Sequence, residues 1–242
     1  HSNGYASVLH LEERLTDALR NVAIRNDGGI ITTGLIGTGI RLRGGTGLAG
    51  VLNDIKSLPT GSQPSTSSAW VRIRKPNGTI FGWGNEERQG KVVMQHRSPS
   101  HINMDCYFSD ANVRSVSKAP LEEWMHITHV YQKGATYLYV NGHLEDSNKG
   151  QGSPLAIKQG SRLWLGGWYG NYDFVGDIDE VRISNVARSE AWVRLDADTQ
   201  GLESKLTGRL VRTSKAPSVS NKPITVDEGS AVVLTSDLGN AE

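Results

Sequence analysis

Three carboxylates crowd one short tract of this sequence, Asp177, Asp179 and Glu180 in GDIDEVRIS. The stretch from Phe174 to Ser184 alternates with period two, which marks a strand with two distinct faces. Strict alternation puts Val175, Asp177, Asp179, Val181 and Ile183 on one face, and Phe174, Gly176, Ile178, Glu180 and Arg182 on the other. Acids on an otherwise apolar face fit three chemistries: a solvated strand end, a ligand set for a cation, or an acid–base pair. Glu180 opposes Asp177 and Asp179 under this pattern, which argues against catalytic pairing. Glu86-Glu87 reads as a loop and Glu122-Glu123 precedes a strand, so neither supplies a paired set on one face.

A second kind of chemistry is stacking. Sugar rings present C–H faces that pack on Trp and Tyr, while polar side chains take the hydroxyls. Two glycine-rich loops carry such residues: GWGNEERQG, with Trp83 and Arg88, and GGWYGNYDF, with Trp168, Tyr169, Asn171 and Tyr172. Loops carry function disproportionately, and Trp83, Arg88 and the Trp168–Tyr172 loop are the expected ligand contacts. Arg88, Lys91 and Arg97 would suit an anionic sugar. Trp70, Trp124, Trp164 and Trp192 read as core. A lyase-like set could in principle be drawn from His96, Arg97, His101, Asn103, Tyr107 and Tyr139. His126 and His129 have opposite parity in WMHITHV and cannot share a face.

Other chemistries lack their signatures. There is no G-x-S-x-G elbow, and GTGIRLRGGTG leads into a strand rather than a helix N-terminus. Neither CxxC nor HExxH occurs, which argues against zinc. Lys and Arg number 26 against 25 Asp and Glu, so no strong field favours nucleic acid. No apolar run reaches membrane-spanning length. The single cysteine, Cys106, reads as a small core residue in INMDCYFS.

The elements that position these groups are short strands separated by Gly, Pro, Asn and Ser. Asn141-Gly142, between TYLYV and HLE, supplies the positive φ angles of a type I′ hairpin. Leu11 to Val22 reads as an irregular loop with a turn of helix. Ser189 reads as the N-cap of a short helix through Ala191, Trp192 and Leu195, with Glu190 at its positive end. The expected architecture is all-β, a two-sheet antiparallel jelly-roll sandwich with one short C-terminal helix. The expected organisation is a domain over 5–200, a linker over 201–222, and the start of a truncated second β domain over 223–242.

GDIDEVRISNVARSEAW resembles the closing strand and helix of bacterial laminin-G-like, concanavalin A-like lectin/glucanase jelly-roll domains, of the type associated with DUF2341 proteins. SVLHLEERLTDALRN, GLIGTGIRLRG, SSAWVRI and EEWMHITHVYQKGATYLYVNGHLE follow in the order that family shows. ITVDEGSAVVL resembles the start of an adhesive repeat. The resemblance implies a secreted or cell-surface, non-catalytic carbohydrate-binding module of a larger exported protein. Its partners would be a polysaccharide and neighbouring domains, without nucleic acid or membrane insertion, and the module would be monomeric. The alternatives are an adhesive or spacer domain with no glycan site, or a polysaccharide hydrolase or lyase. Glucanases of the same superfamily carry an E-x-D-x-E or E-x-D-x-x-E strand that places two acids about 5–5.5 Å apart on one face. Here Asp177 and Asp179 share a face, but Glu180 points to the other and the strand is the last one rather than the middle of a concave sheet.

The resemblance also implies a structural calcium, mapped onto Asp17 and Asp179 with Asn21 contributing. The opening departs from the family's D-S-x-G-N-G loop, because Ala18, Leu19 and Arg20 follow Asp17. The metal-free alternative has Asp179 accepting hydrogen bonds from backbone amides of the opening loop.

Overall fold

Strand-forming tracts of this sequence pair into two antiparallel sheets packed face to face. The computed structural model describes residues 3–201, except 14, 20, 21, 46–48, 53, 54, 98, 133 and 168–173. Its strands are β1 (Tyr5–Leu9), β2 (Thr16–Asp17), β3 (Val22–Ala23), β4 (Ile30–Thr33), β5 (Thr38–Arg43), β6 (Ala49–Leu52), β7 (Ser65–Ile73) and β8 (Gly78–Gly84). They continue with β9 (Lys91–Arg97), β10 (His101–Asp105), β11 (Val113–Arg114), β12 (Trp124–Gln132), β13 (Ala135–Val140), β14 (His143–Asn148), β15 (Arg162–Leu165) and β16 (Val175–Ser184). One helix, α1 (Glu190–Gln200), closes the described chain.

The larger sheet has the order β14-β13-β12-β7-β16-β5-β4, and β1 pairs with the far end of β16. The smaller runs β11-β10-β9-β8-β15-β6, and β2 and β3 form a separate two-stranded pair. This is the all-β antiparallel sandwich expected from the strand pattern. First and last strands are neighbours, as Ser7 opposite Ile183 records. The opening loop differs from expectation, with the β2–β3 pair where a helical turn was expected. No helix among the described residues is long and apolar enough to cross a membrane. The expected linker and second domain lie outside the described residues.

Alternation of side chains puts one face of each sheet inside. Val71, Ile73, Met125, Ile127, Ile40 and Ile178 meet Phe81, Trp83, Val92, Met94, Ile102 and Met104 in one core, and Cys106 joins it. Trp83 crosses that core: its Nε1 donates to Ser67 Oγ on the opposite sheet at 2.8 Å. The serine gives the buried indole its required partner.

Strict alternation fails in β16. Between Asp179, opposite Trp70, and Arg182, opposite Ser68, the strand carries one extra residue. Glu180 absorbs it at φ 51°, a β-bulge that reverses the facing of everything after it. Val181 and Ile183 therefore join Phe174 and Ile178 in the core, while Arg182 turns outward to Asp196 of α1 at 2.9 Å. The face assignment for the second half of this strand is thus corrected.

Helix α1 begins where Ser189 accepts a hydrogen bond from the Trp192 amide at 3.3 Å, as its sequence indicated. It lies on the outer face of the larger sheet, with Val193 packed on Val130 and Tyr139. The β13–β14 turn passes close beneath it. Gly142 has φ 78° and Asn141 φ 50°, the positive values a two-residue hairpin needs. A Cβ on Gly142 would lie 3.0 Å from Arg194 Cα.

Candidate carbohydrate-binding site

The smaller sheet turns Lys91, Val93, Gln95, Asn103 and Asp105 outward, because their neighbours Val92, Met94, Ile102 and Met104 point into the core. Beyond β10 the chain turns at Tyr107 and Phe108, the latter at φ 55°. This turn is tied to the β8–β9 loop by a hydrogen bond from the Gln89 amide to the Tyr107 carbonyl at 2.6 Å. Between them lies a cleft of about 340 Å³, lined by Lys91, Val93, Gln95, Asp105, Tyr107 and Phe108, with Cys106 and Asn112 completing it. That volume is within the range typical of small-ligand sites, about 300–1,000 Å³.

Aromatic surface is unusually available here. Tyr107 and Phe108 are 53% and 54% exposed, and their rings meet edge to face with centroids 4.1 Å apart. The Arg88 guanidinium lies over Phe108 at 4.5 Å and the Lys91 ammonium over Tyr107 at 5.3 Å. Such cation–π contacts orient the cations along the aromatic ridge. Burial lowers the Lys91 pKa from its ordinary value, opposed by Glu86, whose carboxylate is 3.5 Å away. Burial likewise raises the Asp105 carboxyl, against the pull of Arg97 and Lys91.

Polar groups complete the cleft. Gln95 is 7% exposed and its Nε2 donates to Thr79 Oγ1 at 3.1 Å, while its Oε1 is buried with no hydrogen-bond partner. Asn103, directly across on β10, has a buried Oδ1 in the same condition. Buried acceptors left unsatisfied are uncommon in native folds; both oxygens are closed to solvent, Gln95 in the cleft wall and Asn103 beside it. The smaller sheet also holds Gly82 beside Trp164, where a Cβ would come within 2.9 Å of the indole.

The expected site residues are distributed as follows. Arg88 stands at the rim of the cleft. Trp83 does not: it is fully buried and committed to Ser67, so its expectation as a ligand contact is corrected to a core role. The reason is register, since Trp83 and Phe81 share the inward face of β8. Trp168, Tyr169, Asn171, Tyr172 and Asn21 lie outside the described residues. Of the lyase-like set, Arg97, His101, Asn103 and Tyr107 come to the outer side of the smaller sheet. His96 belongs with the inward parity and Tyr139 packs under α1, so the set does not assemble.

Asp17 and Asp179 are not brought together. Asp17 accepts from Ser7 Oγ at 2.7 Å and from the Leu19 amide at 2.9 Å, beside the Ile183 end of β16. Asp179 Oδ2, on the outer face, accepts from the amides of Leu35 and Ile36, each at 2.9 Å. It therefore staples the β4–β5 turn and not the opening loop. Burial pushes its pKa up to about 6. No group of three or more His, Cys, Asp or Glu able to hold a metal occurs among the described residues, so this pair does not fit a shared calcium cage. Asp177 is buried under three arginines, and with Asp179 stapled to backbone, the GDIDE acids are not placed as an acid–base pair.

The cleft residues Tyr107, Phe108 and Gln95 were not among the expected ligand contacts. The available signal was the exposed-type pair Tyr107-Phe108 directly after a strand, and it is no stronger in sequence than the two tryptophan-bearing loops.

Solved structures similar to this one include a domain seen with a bound oligosaccharide and toxin binding domains. Domain 4 of AbnA, a GH43 extracellular arabinanase from Geobacillus stearothermophilus, in complex with arabinotriose, is 20% identical with a TM-score of 0.61, and the match covers 80% of this chain and 97% of that one. The binding domain of Paraclostridial Mosquitocidal Protein 1 is 17% identical with a TM-score of 0.65, covering 82% of this chain and 52% of that one. A heptameric SAP-like pentraxin from Limulus polyphemus is 19% identical with a TM-score of 0.54, covering 68% and 83% respectively. These likenesses are of fold. No curated protein matches the sequence. The family model described as the concanavalin A-like lectin/glucanases superfamily (Laminin_G_3) matches residues 44–194, and with the two-sheet sandwich in place, this chain belongs to that family.

Proposed function

We propose that this domain is a non-catalytic carbohydrate-binding module that holds a saccharide in the Tyr107–Phe108 cleft. The observation that carries the reading is the meeting, in one cleft, of two half-exposed aromatic rings with the unsatisfied amide oxygen of Gln95. Apolar sugar faces would stack on the rings, hydroxyls would donate to Asp105 and, once its amide turns outward, to Gln95, and Arg88 and Lys91 would fix orientation. A largely preformed site of this kind needs little ordering on binding. The similar fold of an arabinanase domain seen with arabinotriose makes arabinan a sensible first ligand to try. We further propose that the module works outside the cell as part of a larger exported protein; its likeness to a domain of an extracellular enzyme supports this.

The test is affinity electrophoresis against a panel of neutral plant and bacterial polysaccharides, arabinan included. Retardation of the wild type on at least one, lost in Tyr107→Ala and Phe108→Ala with melting temperature unchanged, supports the cleft. Absence of retardation throughout the panel would instead favour a spacer or adhesive domain.

A further inference from the structure

A second constellation lies on the opposite side of the sandwich and is used by nothing described so far. On the outer face of the larger sheet, one cross-strand row runs Trp124, Arg72, Asp177, Arg41 over β12, β7, β16 and β5. Asp177 is fully buried and takes three guanidiniums: Arg41 Nε at 2.7 Å on Oδ1, with Arg72 at 2.6 Å and Arg74 at 3.0 Å on Oδ2. Arg74 also reaches Glu122 at 2.7 Å. Arg43 stands two residues from Arg41, exposed, with no side-chain partner among the described residues. Three arginines thus meet two acids, and Arg43 beside them adds a fourth cation, leaving a local positive excess.

The arrangement exceeds what folding requires. One guanidinium would neutralise Asp177, whereas the extra ones repel each other and keep part-exposed N–H donors open to solvent. Those donors are held in a fixed orientation, with Arg72 lying over the Trp124 ring at 5.0 Å. Rigid guanidinium forks match the paired oxygens of carboxylate and sulfate groups. Beside them a groove of about 350 Å³ is lined by Leu35, Trp70, Trp124, Asn141 and Asp198. It offers indole surface, an amide and a carboxylate next to the cations.

We propose that Arg41, Arg43, Arg72 and Arg74 form a second site that binds the carboxylate or sulfate groups of an acidic polysaccharide, with a sugar ring seated in the Trp70–Trp124 groove. The saccharide part rests on the carbohydrate-binding reading above; the anion part stands on the arginine geometry alone. The site makes the module two-sided, so that one chain can bridge two glycan strands.

The experiment compares dextran with dextran sulfate, which share a backbone, and adds polygalacturonate to separate sulfate from carboxylate, all in affinity gels at fixed salt. Wild-type protein should be retarded by one or both polyanions and not by dextran. Arg43→Gln, which leaves every bond to Asp177 in place, should weaken polyanion binding about tenfold, the loss of one or two charge-assisted hydrogen bonds. Arg41→Lys keeps the charge but loses the fork, and should also weaken binding. Lys149→Gln removes an exposed cation elsewhere on the same sheet and should change little. Tyr107→Ala should keep polyanion binding, so failure of the cleft would not be mistaken for failure of this site. Equal losses in Arg43→Gln and Lys149→Gln, no preference for dextran sulfate or polygalacturonate over dextran, or loss of polyanion binding in Tyr107→Ala would each overturn the proposal.

Discussion

Gln95 and Asn103 stand opposite each other on β9 and β10, each with a buried side-chain carbonyl oxygen that no protein donor satisfies. Unpaired acceptors of this kind cost about 1–3 kcal/mol apiece, and under the proposed function a ligand hydroxyl would relieve that of Gln95. Gln95→Met removes one at nearly constant volume, at the cost of the hydrogen bond to Thr79. Stability should change by no more than about 1 kcal/mol, while affinity for a saccharide in the cleft falls about tenfold. Titration calorimetry and urea melts on the same two proteins check both halves.

Trp83 gives the opposite signature. With the indole filling the core and bonded to Ser67, Trp83→Ala should cost about 3–5 kcal/mol. Trp83→Phe keeps most of the volume and should recover much of that loss. Glycan binding by the folded fraction of Trp83→Phe should match wild type; a large affinity loss at unchanged stability would put the tryptophan back among the ligand contacts.

Asp177 is the counter-charge for the arginine row. Burial opposes its ionisation, but hydrogen bonds from Arg41, Arg74 and Arg72 hold its pKa below the ordinary value. Asp177→Asn leaves these cations crowded and uncompensated, and should destabilise by about 3–5 kcal/mol. Chemical denaturation in low and high salt is the measurement, with part of the loss recovered at high salt as repulsion is screened.

The buried histidines make a contribution to stability that acid removes. His126 and His129 are fully desolvated, and burial lowers each pKa from 6.5 to about 3. The unfolded chain therefore binds these protons first, and stability falls as pH drops from about 6.5 toward 3. Each proton of difference is worth about 1.4 kcal/mol per pH unit. Asp179 acts in reverse: its raised pKa lets the folded state hold a proton between about 6 and 3.8, so its contribution is present at low pH and lost as pH rises through about 6. Asp105 and Asp196, also raised by burial, act with Asp179, and His96, also lowered, acts with the two histidines, so single substitutions read each contribution separately. His129→Leu should flatten the profile between pH 6.5 and 4, and Asp179→Asn should steepen it. A His129→Leu profile with the same slope as wild type over this range would contradict the assignment.

Much of the frame was legible from local chemistry. The Asn141-Gly142 turn, the Ser189 cap and the burial of Cys106 follow from residue type and near neighbours, and the structure has each as expected. The two-sheet antiparallel architecture follows from repeated short strands with turn residues between them.

What escaped the sequence depends on contacts across strands and sheets. The bulge at Glu180 adds one residue to β16 relative to β7, and only pairing against a partner reveals such an insertion. It moved Val181 and Ile183 inside, to the face opposite the one that Asp177 and Asp179 take. Likewise, nothing near Trp83 shows that Ser67 waits on the facing sheet, nor that Tyr107 and Phe108 will stand exposed. By itself the sequence determined most of the long strands, the Asn141-Gly142 turn and the helix, because those choices are local, while the β2–β3 pair in the opening segment needed its partner strand. Which aromatics and acids face a ligand was decided by the tertiary structure, because side-chain exposure is set by register and by what packs opposite.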